Sequence, residues 1–407
     1  MKPLSPWRVL LPAGIGTCLS LLGDSSLYTI LPTNTVAAGV SVASVGILLS
    51  ANRFIRLILN GPAGIAYDRW PRRPLFVSAL FIGALSTGVY ALTRGFWPLL
   101  LGRLLWGLAW AGIWVGGNTI VLDIVDDENR GRWVGIYQLS FFLGASCGAM
   151  LGGWLTDWVG FHQTMLINTA LTSVGAVIAL IFLPETRPAK HHPDDTETDS
   201  QRPLASNKTE KAELFSITAL FSVNRLVMAG ILMSTFGIFM KNQIGEQVQF
   251  AGHSIGITTL TGLGLGLSTL IAMGSAPLIG GVSDRIGNRW RAAAGGLVPG
   301  IVGFGLMALG LRLSILLGIP LIATASGSNQ GLSTALSGDL GNGQKQSRRL
   351  GMLFTFGDFA SAIGPPLAYA LMPLIGIKVL YFASAGLFAV MLFVTLRRGA
   401  MAGEKII

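Results

Sequence analysis

The chain has 407 residues, 51% of them hydrophobic and 12% charged, with a formal net charge of +10. Soluble domains carry about 25% charged residues, so a mean hydropathy of +0.61 excludes a water-soluble globule and implies a polytopic membrane protein. The positive charge does not imply a nucleic-acid partner, because the basic residues cluster at alternate turns between apolar runs rather than on one face.

A helix needs roughly 20 apolar residues to cross the hydrocarbon. On that ruler the sequence predicts spans over 9–32, 41–66, 74–93, 97–123, 132–156 and 161–183, then over 219–240, 254–281, 290–310, 313–338, 350–373 and 376–396. The opening MKPLSPWRVLLPAG leads into a run too long for a signal-peptide core, so it is expected to remain as the first span. Residues 185–213 are polar and proline-bearing, and are expected to form a disordered or loosely helical linker. This gives a six-helix unit over 1–184, the linker, and a second six-helix unit over 214–407. His191 and His192 in the linker lack the further ligands of a metal site, and Cys18 and Cys147 lie inside apolar runs, so no metal, cofactor or disulfide framework is expected.

With the amino terminus inside, the inner segments hold twenty-one lysines and arginines and the outer turns four. The positive-inside rule then puts both termini and the linker in the cytoplasm.

The two halves repeat each other. GIAYDRWPRR at Gly64–Arg73 has its echo 216 residues on, as GGVSDRIGNR at Gly280–Arg289. At the same offset Asp123 maps to Asp339, Arg132 to Arg348, Gly148 to Gly364 and Gly160 to Gly376. Matches at one register without a gap read as an internal duplication. Paired bundles of this kind are a plan of secondary transporters.

Gly64-x-x-x-Asp68-Arg69-x-x-Arg72-Arg73 resembles the signature loop between helices 2 and 3 of the major facilitator superfamily. The resemblance implies an all-α membrane protein of twelve transmembrane helices in two pseudo-symmetric six-helix bundles. Arg103 with Gly107 resembles the fourth-helix motif of the proton-coupled members. Gly144-x-x-x-Gly148-Ala149-x-x-Gly152-Gly153 resembles the fifth-helix signature of the drug:proton antiporters, with Ala149 where that branch has proline. The family role of the loop aspartate is a conformational latch. It would join Asp68 to the start of span 11 and to Arg130 and Arg132 when the carrier is open outward. Gly64, Arg69, Arg72 and Arg73, with Asp284 and Arg285 in the echo, complete this set.

Four arginines fall within spans: Arg53, Arg56, Arg103 and Arg225. Burying a guanidinium there costs at least ~2.5–3.5 kcal/mol, so each should face a cavity or a counter-charge, except that Arg225, near the inner start of span 7, can snorkel to the surface. Asp24 and Arg103 lie roughly 12 and 9 Å below the same surface at 1.5 Å per residue, which makes them candidate partners for proton coupling. Asp358 is a third candidate. It matches Arg56 in depth, with Arg53 as the alternative, and an Arg56–Asp358 pair is expected to hold the inside shut and to break when the cavity opens inward. Tyr28, Trp114, Asn118, Gln138, Asn329 and Gln330, with Arg53 and Arg56, are expected to line the central cavity.

The implied function is proton-coupled efflux of small amphipathic compounds across the cytoplasmic membrane by a monomer. An importer or exporter of an organic anion is the alternative. No nucleophile–base pair, nucleotide loop or metal cluster points to an enzyme.

Overall fold

A computed structural model of the chain describes residues 5–126, 129–187, 208–250, 252–340 and 346–403. Most of the expected linker, residues 188–207, lies outside the described residues, as do His191 and His192.

Among the described residues the apolar runs form twelve long helices. The first six are α1 (Pro6–Ile30), α2 (Val42–Arg69), α3 (Arg72–Leu92), α4 (Phe96–Leu122), α5 (Arg130–Val159) and α6 (Phe161–Phe182). The seventh, α7, is composite: Lys208–Arg225 runs into a π-helical stretch, Leu226–Leu232, and on through Met233–Ile244. Then come α8 (Ile257–Ile286), α9 (Arg289–Leu309), α10 (Arg312–Asp339), α11 (Gln346–Ile375) and α12 (Ile377–Gly403). Ten of the twelve are long and apolar enough to cross a membrane by composition. The other two, α10 and α11, are diluted by serines and glycines, and α11 carries Pro365, Pro366 and Pro373. Sequence reasoning starts span 7 at 219. The helix begins at Lys208 instead, because a polar first turn is welcome where a helix leaves the membrane. It also misses the β-hairpin between α7 and α8, in which Gln247–Phe250 pairs antiparallel with His253–Gly256.

Successive helices run antiparallel, so the chain ends and the 2–3, 4–5, 8–9 and 10–11 turns share one face, called here the basic face. A large apolar core holds each bundle together, with a smaller cluster beside it. Trp106, Trp110 and Tyr137 anchor the first and Phe304, Tyr381 and Phe388 the second.

The duplication is visible as paired geometry. Gly160 and Gly376 both take positive φ, 88° and 79°, at the turns after α5 and α11, where a side chain would be strained. Arg72 reaches Asp123 at 3.1 Å, and in the second bundle, where Asn288 stands at the position equivalent to Arg72, the next residue, Arg289, reaches the equivalent Asp339 at 2.9 Å.

The bundles meet along α2 with α11 and α5 with α8, and glycines set the approach. A Cβ built at Gly46 on α2 would lie 2.8 Å from the carbonyl oxygen of Pro365 on α11. One at Gly262 on α8 would lie 2.3 Å from that of Ala149 on α5. Gly46 and Gly262 are 216 residues apart, as are Ala149 and Pro365, so the two contacts are two-fold copies. Small residues at such points let backbones touch. Both contacts lie in the half away from the basic face. In the basic-face half of these four helices, Gly61, Gly64, Gly131, Gly135, Gly280, Gly281 and Gly351 have nothing within 4 Å of a built Cβ. The interface is therefore closed at the far side and open toward the basic face.

Candidate functional site

The cavity ends where α1, α2, α4, α7 and α11 bring their buried charges together. Arg103 is fully buried; its Nη1 donates to Asp24 at 2.5 Å, and its Nε and Nη2 donate to the carbonyls of Leu48 and Leu49 at 2.9 and 3.3 Å. Tyr28 lies against two guanidiniums, with Arg53 and Arg103 each 5.1 Å from its ring centroid. The ring face is negative, so both contacts are attractive. Its hydroxyl donates to the Leu49 carbonyl at 2.5 Å, which keeps the ring in place.

Arg53 spans the bundles. Its Nη1 donates to the carbonyls of Ala229 on α7 and Ser361 on α11, at 2.8 and 2.6 Å. Both acceptors have a local cause. The residue four after Ser361 is Pro365, which has no N–H to give, so that carbonyl lacks its helical partner. Ala229 sits in the π-helical stretch, where the wider hydrogen-bond ladder disturbs the regular pairing. Here α7 and α11 touch backbone to backbone, since a Cβ at Gly364 would lie 2.4 Å from the Cα of Gly230.

Asp358 lies beside this staple, bridged by Arg56 Nη2 at 2.8 Å across the interface and Arg225 Nη2 at 3.3 Å within its own bundle. Sequence reasoning brings Arg56 to Asp358 but expects the pair to part when the cavity opens toward the chain ends. The cavity is open there and the pair is formed. It belongs to the closure of the far side, because α2 and α11 converge in that direction. The Arg225–Asp358 contact escapes the sequence reading, which lets Arg225 snorkel to the surface. The early start of α7 places that residue too deep to do so.

Other expected cavity residues divide. Trp114 and Asn118 are half-buried on α4, with the Asn118 amide donating to the Trp114 carbonyl at 2.7 Å. Trp106, Trp110 and Trp114 stack at fourfold spacing, with centroids 5.9 and 5.7 Å apart, and Phe141 closes the ladder 5.6 Å from Trp114. Gln138 and Gln330 are half-buried on α5 and α10. Asn329 is fully buried inside the second bundle, close to Gly296 of α9, so it does not line the cavity.

On the basic face the loop between α2 and α3 is fastened to its own bundle. The Glu185 carboxylate accepts from the amides of Arg72 and Arg73, at 2.9 and 3.1 Å, and so caps α3. Arg187 donates to the carbonyls of Arg69 and Asp68, at 2.5 and 3.1 Å. Among the described residues no ion pair forms at the Asp68 carboxylate, and the Arg132 guanidinium lies over Trp133, 5.6 Å from its centroid. Gly64 and Arg285 stand near the open mouth, and Asp284 lies 3.9 Å from Arg289. Sequence reasoning misses a clasp on the opposite face. There the Asp157 carboxylate, at the end of α5, accepts from the Thr259 amide and hydroxyl in the first turn of α8, at 2.6 and 2.7 Å. An acid near a span end opposite a helix start is the signal that could have found it.

Residues 13–339 match the family model described as Major Facilitator Superfamily. The chain is 25% identical to the class G tetracycline resistance protein of Vibrio anguillarum over 90% of its own length and 89% of that protein's. It is 26% identical to the class B tetracycline resistance protein of Escherichia coli over 67% of its own length, a match spanning 65% of the relative. Its fold superposes with a TM-score of 0.80, at 16% identity, on a bacterial homologue of the human lysosomal transporter Spinster in an inward-facing, occupied conformation, covering 97% of this chain and 98% of that one. Twelve helices in two duplicated bundles, the loop at Gly64–Arg73 and a family match over most of the length make this chain a member of the Major Facilitator Superfamily.

Proposed function

We propose that the protein is a proton-coupled secondary active transporter that exports small amphipathic compounds across the cytoplasmic membrane by alternating access. The observation that carries this reading is the pair of buried carboxylate–guanidinium groups, Asp24–Arg103 and Asp358 with Arg56 and Arg225, set between the bundles at the end of a one-sided cavity. Carboxylates at such depth are functional by default in membrane proteins. Each carboxylate is held by an arginine on another helix, so movement of the helices changes its partner, as a coupled cycle requires. The similarity to tetracycline resistance proteins supports efflux of an amphipathic substrate. Membership in a transporter family makes the protein a transporter and not an enzyme.

In this reading the basic face is cytoplasmic, by the lysine and arginine bias, and the structure is the inward-open state. The bundles at 1–184 and 214–407, joined by a cytoplasmic linker at 185–213, rock about the site in a monomer. Asp68 with Arg130 and Arg132 closes the inner side in the other state.

Inverted membrane vesicles with an acid lumen test this. The expected result is accumulation of tetracycline or a related amphipathic probe that collapses when a protonophore is added. Accumulation no higher than in vesicles lacking the protein, or indifferent to the proton gradient, overturns the reading.

A further inference from the structure

The buried charges at the end of the cavity do not balance. Among the described residues, four arginines, Arg53, Arg56, Arg103 and Arg225, lie deep within the bundles against two carboxylates, Asp24 and Asp358. A guanidinium in hydrocarbon needs compensation, and two of the four have found it. Arg103 spends its donors on Asp24 and two carbonyls, and Arg53 on two carbonyls freed in the opposite bundle. Arg103 is completely buried and Arg53 nearly so, which leaves neither accessible to a solute.

Arg56 and Arg225 differ in both respects. Their side chains are 16% and 27% exposed, and they share the single carboxylate of Asp358. Two guanidiniums carry about ten N–H donors, of which Asp358 engages one nitrogen on each. Among the described residues the buried Arg56 Nε has no acceptor. A pair of planar cations around one carboxylate, with donors left over, matches the geometry by which arginine binds carboxylate and phosphate groups.

We propose that this point is an anion-binding site: the transported compound carries a carboxylate or similar anionic group that binds between Arg56 and Arg225, where Asp358 competes with it. The proposal rests on the transport reading above and narrows its substrate class to amphipathic organic acids. Asp358 then has a defined part. It holds the two arginines in the empty carrier and gives way when the substrate anion arrives, so substrate binding and the Arg56–Asp358 contact across the bundles are linked.

Equilibrium binding to the full-length protein in lipid nanodiscs tests this with three probes of one shape and different charge: 2-naphthoate, 2-naphthamide and 2-naphthylmethylammonium. The expected result is naphthoate binding at least about tenfold tighter than the amide, with the ammonium weakest. Arg225→Gln should erase that preference. Asp358→Asn should tighten naphthoate at least threefold and leave the amide unchanged, an effect that a carboxylate with only a structural role would not produce. The amide or ammonium binding wild type as tightly as naphthoate overturns the proposal, and so does naphthoate failing to bind at millimolar concentration. A folded Asp358→Asn protein that binds naphthoate no tighter than wild type also overturns it. Should either variant fail to fold, the ranking of the three probes by wild type decides alone. Anion binding without gradient-driven transport would defeat the export reading and leave this one. Gradient-driven accumulation of the ammonium without naphthoate binding would do the reverse.

Discussion

Pro365 withholds an N–H from the carbonyl of Ser361, and Arg53 supplies a substitute donor from the other bundle. Hydrogen bonds from charged groups contribute about 1.5–3 kcal/mol each, so Arg53 holds the far side shut by an amount that matters to a conformational equilibrium. Arg53→Gln should shift the carrier at least tenfold toward the state open at the far side. Spin labels on the far ends of α2 and α11 would report this as a longer distance. Adding Pro365→Ala restores the missing amide to Ser361 without restoring the staple, so the double variant should remain open while its α11 becomes more regular. If the double variant closes again, the staple is not what Arg53 provides. Asp24 is argued separately. Its partner Arg103 is fully buried, and removing one member of a buried pair costs ~3–5 kcal/mol because the other charge is left uncompensated. Asp24→Asn should therefore lose gradient-driven transport while still binding ligand, checked by comparing vesicle uptake with equilibrium binding. Uphill accumulation by that variant would remove Asp24 from the coupling mechanism.

The helices meet through Gly46 against Pro365 and Gly262 against Ala149, and each contact leaves no room for a side chain. Gly262→Val and Gly46→Val should each prevent closure of the far side. The first should be the more severe, because a Cβ there comes within 2.3 Å of a carbonyl oxygen rather than 2.8 Å. Each bundle keeps its own core, so both proteins should reach the membrane folded. Cross-linking between cysteines at the far ends of α5 and α8 measures the loss of closure. At this scale sequence and structure agree in part, for identifiable reasons. Charges in an apolar span must be paired, and a helix rises by a fixed step, so depth alone brings Asp24 to Arg103 and Arg56 to Asp358. Depth does not say in which state a pair is formed, and here Arg56–Asp358 is formed. Nor does it say which way a side chain faces. A helix in lipid is apolar all round, so the pattern that would place Asn329 inside its bundle is missing. The π-helical stretch in α7 has no local signature either, because LVMAGIL reads as ordinary helix. The alanine that breaks the fifth-helix pattern does have an explanation. Ala149 presents its carbonyl to Gly262 as Pro365 does to Gly46, so the contact survives without the proline.

The whole molecule is a symmetric scaffold carrying asymmetric charges. The positions 216 residues from Asp24, Arg53, Arg56, Arg103 and Asp358 are Met240, Thr269, Ala272, Ile319 and Phe142, so the charged cluster has no second copy. It loads the α2–α11 contact and leaves α5–α8 to small residues and one clasp. That clasp, Asp157 on the first turn of α8, stands at the far face. The basic face carries Asp68, whose carboxylate has no ion pair among the described residues while the cavity there is open. A carboxylate at a helix start contributes about 0.5–2 kcal/mol, and each of these acids can act only in the state that closes its own face. Their removal should therefore have opposite signs. Asp157→Ala should favour the state open at the far face, and Asp68→Ala the state seen here, each by about threefold to thirtyfold in population. Both should slow transport, since a cycle needs both states. The rate at which a membrane-impermeant thiol reagent labels a cysteine placed near either mouth would read the populations. Opposite displacements imply a stronger result for the double variant. With both acids replaced, the balance should return toward wild type and part of the transport lost in each single variant should reappear. If the double variant is slower than either single one and its labelling does not return, the two carboxylates are not opposing latches, and the Asp157 contact is a local helix cap with no part in the cycle.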